Sequence, residues 1–181
     1  IICDHHGAIS HLHERECTIQ RRNQKLIEVA PSPSLSDALR TRIIEAAKEM
    51  AAAANYDNLG TFEFLVDNER INDKASDQAF AFIEANPRLQ VEHTVTEEVL
   101  GLDLVQSQLA VAAGATLGSL GLAQGYIPKP RGFAMQLRVN MEVMDESGGT
   151  RPTGGTLAPF DLPSGPGVRV DTFGYSGYRT S

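Results

Sequence analysis

The sequence predicts an α+β fold in which helices pack on strands that pair mainly as hairpins. Three observations carry this prediction: apolar residues at helical spacing between residues 36 and 54, strand-type alternation in residues 60–67 and 79–86, and a further alternating stretch in residues 132–142. Strands mixed with helices, several of them linked as hairpins, are typical of the α+β class.

The composition excludes several classes of protein. With 41% hydrophobic and 22% charged residues, the 181-residue chain is typical of a globular protein. Its net charge of -7 argues against an unspecific nucleic-acid partner, which requires a basic surface. The longest uncharged stretch, residues 104–128, is broken by glutamines, glycines and serines, so we expect no membrane span. Cys3 and Cys17 are too few for a disulfide scaffold and favour reduced thiols in a cytosolic type of compartment.

The first half of the chain is predicted to form two hairpins around one helix. Residues 1–14 contain two short strands about a turn at Asp4–Gly7, and Ser36 caps a helix that ends near Ala54. Strands at about 60–67 and 79–86 follow, and we expect their connecting loop, residues 68–78, to be a solvated tip. The apolar stripe of the helix is Leu39, Ile43, Ala47, Met50 and Ala54.

The second half is predicted to hold one helix, a linker and a β-rich segment. The helix runs from Thr96 or Asp103 to Ala113, and glycine- and proline-rich residues 115–131 form the linker between residues 1–114 and 132–181. The inner side of this helix is Val105, Leu109 and Ala112. In residues 132–142 the inward set is Phe133, Met135, Leu137, Val139 and Met141, and the outward set is Gln136, Arg138, Asn140 and Glu142.

A row of polar side chains follows the strand at 79–86. If the chain stays extended past Pro87, alternation puts five of them on one side, where they would form the floor of a cleft. These residues are Glu84, Asn86, Arg88, Gln90 and Glu92.

Glu63 on the neighbouring strand is flanked by apolar residues, and a carboxylate there is costly to bury without a partner. Together with Glu84 it offers hard oxygen ligands to magnesium, with nucleotide phosphates and water completing the coordination. The alternative is that each glutamate pairs with an arginine such as Arg88 or Arg138. The spacing leaves both interpretations open.

The segment from Gln20 to Lys25 concentrates three positive charges and suits a phosphate or another small anion. A solvated basic turn explains the same composition. The segment alone does not decide between them.

Three blocks carry a resemblance to a known family: residues 13–25 (HERECTIQRRNQK), residues 60–65 (GTFEFL) and residues 84–97 (EANPRLQVEHTVTE). Their order and spacing make the chain similar to biotin carboxylase throughout its length. The resemblance implies the second lobe of an ATP-grasp domain, followed by the start of the β-rich C-terminal subdomain of biotin carboxylase. It further implies that ATP and bicarbonate are used to carboxylate biotin through carboxyphosphate, as part of a biotin-dependent carboxylase of the acyl-CoA type.

The resemblance also implies a role for each polar side chain. Glu63 and Glu84, with Asn86 close by, would hold Mg2+ or Mn2+ bridging the ATP phosphates. Gln20 and Leu65 would contact the nucleotide, and Lys25 would lie near ATP and bicarbonate. Arg88, Gln90 and the Val91 backbone would bind bicarbonate, Glu92 would deprotonate it, and Arg138 would stabilise the enolate-like form of biotin.

The implied partners are a biotin carboxyl carrier domain, a carboxyltransferase component and a second copy in a homo-oligomer, with a cytoplasmic location or, in a eukaryote, the mitochondrial matrix. Asn23 stands where many members carry histidine, and the family's glycine-rich phosphate lid is not among these residues. We therefore expect a partial sequence that does not turn over alone. Two alternatives remain: another ATP-grasp ligase such as carbamoyl phosphate synthetase, and a non-catalytic nucleotide-binding relic.

Overall fold

A computed structural model describes residues 1–67, 69 and 79–180. Apart from residue 69, the loop predicted at residues 68–78 lies outside the described residues. Helices and small antiparallel sheets make up the chain, which confirms the α+β class. It divides into two compact units, residues 1–138 and the residues from Val139 onward.

The first sheet contains β1 (Ile2–Cys3), β2 (Ile9–Ser10) and β5 (Asn58–Leu59) in the order β2-β1-β5, with antiparallel neighbours. The carboxylate of Asp4 accepts backbone hydrogen bonds from His6 and Ala8 in the turn and from Leu117 far along the chain. These bonds lower the pKa of Asp4 although burial opposes them. The hairpin predicted in residues 1–14 is confirmed.

The second sheet contains β3 (Glu16–Arg21), β4 (Gln24–Ala30) and β8 (Ala134–Leu137) in the order β3-β4-β8. Arg22 and Asn23 both have positive φ angles, 51° and 62°, and form the two-residue tip between β3 and β4. The basic segment is therefore a tight hairpin rather than an open loop, and it places Gln20 opposite Lys25.

The third sheet is the hairpin of β6 (Thr61–Val66) and β7 (Phe80–Asn86), which confirms the two predicted strands. Its register sets Glu63 directly opposite Glu84. Side chains opposite each other on antiparallel strands lie about 5 Å apart at Cβ, so the carboxyl groups of Glu63 and Glu84 lie close to each other.

The first helix, α1 (Asp37–Ala53), begins as predicted, because the Ser36 hydroxyl accepts a hydrogen bond from the backbone of Leu39. Its buried residues are Leu39, Ile43, Ala47 and Ala51. Three members of the predicted stripe are thus confirmed, whereas Met50 is half-buried and Ala54 is exposed.

Of the two starts predicted for the helix that ends at Ala113, Asp103 is confirmed by α3 (Leu104–Ala112), whereas Thr96 is wrong because it lies in a separate helix, α2 (His93–Leu100). Gly101 ends α2 in the left-handed conformation at φ 68°, and the Asp103 carboxylate caps α3 by accepting from the Gln106 backbone. The inner face predicted for the second helix is also wrong, since Leu104 and Val111 are buried and Leu109 is 66% exposed.

The core of the first unit joins α2, α3 and the first sheet. It includes Ile2, Val95, Val99, Leu104, Val111, Leu117 and Leu122. Residues 115–131, predicted as a linker, thus lie inside the first unit, with Leu117 completely buried. Over the described ranges, none of the helices has the length and apolarity that a bilayer crossing requires.

Strand β8 faces the opposite way to the prediction. Met135 and Leu137 are exposed, whereas Gln136 and Arg138 are partly buried. The reason is that Gln136 pairs with buried Glu28 of β4 and accepts a hydrogen bond of 2.6 Å from the Thr94 hydroxyl of α2. The polar face of β8 is therefore its inner face.

The second unit contains two antiparallel pairs, β9 (Glu142–Met144) with β10 (Thr150–Pro152) and β11 (Gly155–Thr156) with β12 (Arg179–Thr180). Tyr178 makes edge contacts with the rings of Phe173 and Tyr175. The described part of this unit has strands but no helix.

We predict that Leu117→Ala lowers the free energy of unfolding by about 3 kcal/mol, because it opens a cavity at a completely buried side chain. Leu109→Ala, which removes the same atoms from an exposed position, is the matched control and should change it by less than about 0.5 kcal/mol. Urea unfolding followed by circular dichroism measures both. Equal losses would contradict the assignment of Leu117 to the core.

Candidate active site

A cavity of about 510 Å³ lies within the first unit, between the β3–β4 hairpin, the β6–β7 hairpin and the turn before α2. Seven of the predicted site residues line it: Gln20, Lys25, Glu63, Leu65, Arg88, Gln90 and Glu92. Residues that are distant in the sequence are thus brought to one concave surface.

The ammonium group of Lys25 is the centre of the cavity's charged network. Its Nζ lies 2.7 Å from Glu63 Oε1 and 2.9 Å from Glu92 Oε1, which we call the lysine bridge. Burial lowers the pKa of Lys25, but the hydrogen bonds to the two carboxylates outweigh burial and raise it above its ordinary value. The bridge ties β4, β6 and the turn before α2 together.

Glu63 Oε1 also accepts hydrogen bonds from Asn86 Nδ2 at 3.1 Å and Gln90 Nε2 at 3.0 Å. The same Asn86 amide donates to Glu84 Oε1 at 2.8 Å, so it bridges the two opposed glutamates. The arginine pairing considered for Glu63 is not observed, because its ion-pair partner is Lys25.

The opposed carboxylates of Glu63 and Glu84 fit the oxygen preference of magnesium, and the Asn86 side chain has a third oxygen to offer. Within the described ranges, no group of three His, Cys, Asp or Glu side chains is arranged to hold a metal alone. A metal at this pair would therefore need further ligands such as phosphate oxygens and water.

Glu92 is held at both carboxylate oxygens. Lys25 binds Oε1, and the guanidinium of Arg138 binds Oε2 at 2.8 Å. Burial raises the pKa of Glu92, but the hydrogen bond from Lys25 prevails and the pKa is lowered. The carboxylate is therefore ionised near neutral pH.

Arg138 also pairs with Glu28 of β4, at 2.7 Å between NH2 and Oε1. Glu28 is completely buried, and this burial raises its pKa although Arg138 opposes the shift. Sequence reasoning missed Glu28, although a single glutamate in the apolar strand β4 was a usable signal.

The polar row expected from an extended chain is wrong beyond Asn86. Strand β7 ends at Asn86, and a turn closed by a hydrogen bond from the His93 backbone to the Gln90 carbonyl leads into α2. Arg88 is exposed and its guanidinium donates to the Leu89 carbonyl at 3.3 Å, while Val91 is 60% exposed. Gln90 and Glu92 reach the cavity from this turn rather than from a strand face.

The two predicted nucleotide contacts lie on different hairpins. Gln20 is exposed on β3 and donates to the Cys17 carbonyl at 2.9 Å, and Leu65 is 65% exposed on β6. An exposed apolar side chain inside a charged cavity suits a flat apolar ligand surface.

Sequence reasoning also missed Arg15, which lines the cavity and donates to three neutral oxygens. Its partners are Thr96 Oγ1 and Thr61 Oγ1, both at 3.1 Å, and Gln90 Oε1 at 3.3 Å. Burial lowers the pKa of Arg15 and the nearby Glu92 opposes this.

The shared lysine, the opposed glutamates and the arginines are the types of side chain that bind a metal-bound polyphosphate and a small anion. The family comparison agrees with this class. Residues 1–120 match the model described as "Carbamoyl-phosphate synthase L chain, ATP binding domain", and the chain belongs to this family.

Within the family, the chain is similar to biotin carboxylases. It is 46% identical over 171 residues to a pyruvate carboxylase of Aspergillus niger, covering 94% of the chain and 13% of that protein. It is 44% identical over 179 residues to a biotin carboxylase of a Nostoc species, covering 99% of the chain and 37% of that protein. The chain therefore spans little more than a third of the biotin carboxylase and about one eighth of the pyruvate carboxylase.

The chain is also similar to solved structures of carboxylases and their biotin carboxylase domains. The biotin carboxylase domain of a single-chain bacterial carboxylase is 51% identical with a TM-score of 0.80, over 96% of this chain and 37% of that one. A single-chain, multi-domain long-chain acyl-CoA carboxylase is 45% identical with a TM-score of 0.83, over 94% and 17%. The biotin carboxylase domain dimer of the Hydrogenobacter thermophilus 2-oxoglutarate carboxylase is 36% identical with a TM-score of 0.85, over 99% and 37%. The resemblance and the ATP-grasp fold predicted from the sequence are confirmed.

We predict that Lys25→Met shifts acid unfolding to higher pH. The lowered pKa values of Glu63 and Glu92 give stability that is present above their ordinary value of 4.5 and is lost as the pH falls through the folded values. Without the ammonium, the lowering that Lys25 provides is lost and the pKa values of both carboxyl groups rise, so protonation begins at a higher pH.

An acid titration followed by circular dichroism measures this shift. Lys48→Met is the matched control, because it breaks an ion pair with Glu45 on the surface of α1 and should leave the acid midpoint in place. Equal midpoints for the two variants would refute the stabilising role of the lysine bridge.

Proposed function

We propose that this chain supplies the bicarbonate-binding and metal-binding part of a biotin carboxylase. The observation that carries the proposal is the lysine bridge, which sets a cation and a candidate base in one cavity beside Glu63, the residue opposite Glu84 in the hairpin. In the proposed reaction a bicarbonate oxygen attacks the γ-phosphorus of ATP, and ADP leaves as carboxyphosphate forms. Carboxyphosphate then breaks into carbon dioxide and phosphate, and biotin attacks the carbon dioxide after losing a proton to the phosphate.

In this proposal Glu63 and Glu84 hold Mg2+ or Mn2+, with Asn86 beside them. A metal bound there would neutralise the charge that develops on the ATP phosphates. Leu65 packs on the adenine ring and Gln20 lies beside the nucleotide. The similar domain from Hydrogenobacter, described as a complex with MgADP and bicarbonate, supports this assignment.

Bicarbonate is held by Arg88, Gln90 and the Val91 backbone, and Glu92 removes its proton. In the observed arrangement Lys25 lowers the pKa of Glu92 and weakens it as a base. When Lys25 turns toward the transferred phosphoryl group, Glu92 loses that partner and its basicity rises. Binding of the two substrates therefore activates the base at the moment it is needed.

Arg138 is proposed to stabilise the enolate-like oxygen of biotin, since a fixed cation favours a developing negative charge. Its second carboxylate, Glu28, lies opposite Gln136 in the sheet and keeps the guanidinium in place while Glu92 changes partners. In the proposal, the two carboxylates that flank Arg138 have different roles: Glu92 acts on bicarbonate, and Glu28 holds the guanidinium in place.

The partners we propose are a biotin carboxyl carrier domain, a carboxyltransferase component and a second copy of the protein.

The acceptor of the carboxyl group is proposed to be an acyl-CoA, which the 45% identity to a long-chain acyl-CoA carboxylase supports. The 46% identity to a pyruvate carboxylase favours pyruvate instead. Carboxyl transfer from labelled bicarbonate to each acceptor, by the intact enzyme, decides between them.

Cys3 and Cys17 are both free, which supports the proposed cytoplasmic or mitochondrial matrix location. Alkylation of the enzyme under denaturing conditions without reductant tests it, because Cys3 is buried in the native fold and a disulfide between the two cysteines would oppose the proposal.

Two alternatives make different predictions. A carbamoyl phosphate synthetase activates bicarbonate too, but it phosphorylates carbamate when ammonia is supplied and ignores biotin. A nucleotide-binding relic binds magnesium-nucleotide without hydrolysing it. The carboxylases among the relatives favour biotin as the acceptor, and the complete charged network of Lys25, Glu63 and Glu92 opposes a relic.

In an intact carboxylase containing this chain, ATP hydrolysis should require bicarbonate and be stimulated by free biotin. Glu92→Gln should reduce its rate by roughly 10²- to 10⁴-fold, because the amide cannot accept the bicarbonate proton. Glu45→Gln, a substitution on the exposed face of α1, is the matched control and should retain the rate. Hydrolysis that is indifferent to biotin would point to another ligase, and tight binding without hydrolysis would point to the relic.

Glu84→Gln should weaken magnesium-dependent nucleotide binding by at least about tenfold. Mutation of a residue that only supports a metal ligand already lowers metal affinity by about that factor. Calorimetric titration with ADP at several magnesium concentrations separates the metal's contribution from that of the nucleotide alone. Glu49→Gln, on the exposed surface of α1, is the control. An unchanged magnesium dependence would refute the metal assignment of Glu84.

A further inference from the structure

Arg15 connects three elements at the edge of the cavity. Its NH1 group donates to Thr96 of α2, and its NH2 group donates to Thr61 of β6 and to Gln90 in the turn before α2. Among the described residues, no carboxylate lies within ion-pair distance of its guanidinium. Burial of this cation is costly, and the nearby charges of Glu92, Glu63 and Glu28 offset part of that cost, while its hydrogen bonds all go to neutral acceptors.

The contact with Gln90 fixes the direction of a carboxamide. A guanidinium can only donate hydrogen bonds, so the accepting Oε1 end of Gln90 faces Arg15. The donating Nε2 end then points to the opposite side, where it meets Glu63 Oε1 at 3.0 Å. A flipped amide would set two donors against each other and the carbonyl oxygen against a carboxylate.

Arg15 and Glu63 therefore favour the same orientation of Gln90, but Glu63 is the proposed metal ligand. Once its carboxylate binds a metal, its lone pairs are directed to the cation and its hold on the Gln90 amide weakens. Arg15 then remains as the group that fixes the orientation, and Gln90 Nε2 is available to an anion.

We propose that Arg15 is a positioning residue for bicarbonate, which it serves by holding the Gln90 carboxamide with Nε2 directed at the anion. This inference rests on the proposed function, because it takes Gln90 as a bicarbonate ligand. Thr61 and Thr96 anchor the guanidinium, and Gln90 transmits its effect.

The test measures the bicarbonate KM and the ATP KM of the intact carboxylase in steady-state ATP hydrolysis. Arg15→Lys keeps the charge but lacks the fork that reaches the threonines and Gln90 together. We expect it to raise the bicarbonate KM roughly tenfold and to leave the ATP KM within about twofold. Should Arg15→Lys fail to fold, Arg15→Gln, a smaller neutral donor, replaces it in the same comparison.

Gln90→Ala and the double variant complete a cycle. If Arg15 acts through Gln90, adding Arg15→Lys to Gln90→Ala raises the bicarbonate KM no further. Arg169→Lys is the matched control: it makes the same replacement at an exposed arginine that pairs with Asp171 and does not line the cavity, and it should leave the bicarbonate KM within about twofold.

Two results would overturn the inference while leaving the proposed function intact. One is multiplication of the two single effects in the double variant, and the other is an equal rise of both KM values in Arg15→Lys. A wild-type enzyme without bicarbonate-dependent hydrolysis would instead overturn the proposed function and the inference with it.

Discussion

The candidate site depends on the ammonium of Lys25, which is shared between Glu63 and Glu92 in a half-buried setting. Burial opposes all three charges, yet each is stabilised by an opposite neighbour, so the two carboxyl pKa values are lowered and the lysine pKa is raised. Removal of the cation would leave Glu63 with only its amide donors and Glu92 with only Arg138 as an ion-pair partner, and breaking a buried ion pair from one side is destabilising. The bridge also joins three separate chain segments, β4, β6 and the turn before α2.

In the observed arrangement, the lysine bridge holds Glu92 in a form that is a weak base. Both oxygens of Glu92 are occupied, one by Lys25 and one by Arg138, and a base in this state has little affinity for a proton. A phosphoryl group near Lys25 offers the ammonium a more highly charged partner. In the proposed reaction, the lysine bridge is thus the interaction that the substrates would exchange, and the exchange would raise the basicity of Glu92.

The sequence predicts those parts of the fold that depend on local rules. Ser36 capping α1 and the alternation of β6 and β7 are local, and the opposition of Glu63 and Glu84 follows once the hairpin register is set. Alternation separates the two faces of β8 but does not say which one is inside; Glu28 and α2 decide that through Gln136. The turn after Asn86 was missed because the row of alternating polar residues continues in the sequence after the strand ends.

Many oppositely charged side chains lie close together around the lysine bridge. The sequence does not show which of them meet, so the resemblance was needed to find the site residues and the geometry was needed to see their contacts. Near the bridge lie three cationic side chains, Arg15, Lys25 and Arg138, and four carboxyl groups, Glu28, Glu63, Glu84 and Glu92. Polyphosphate cannot approach the opposed pair of Glu63 and Glu84 unless a divalent cation first reverses the local charge. In the proposed site, a metal at Glu63 would take the carboxylate that accepts from Gln90, and the Gln90 amide would then be able to donate to an anion. Under that proposal, metal binding and anion binding would be coupled through the single carboxylate of Glu63, and the coupling would favour a site that takes its substrates together.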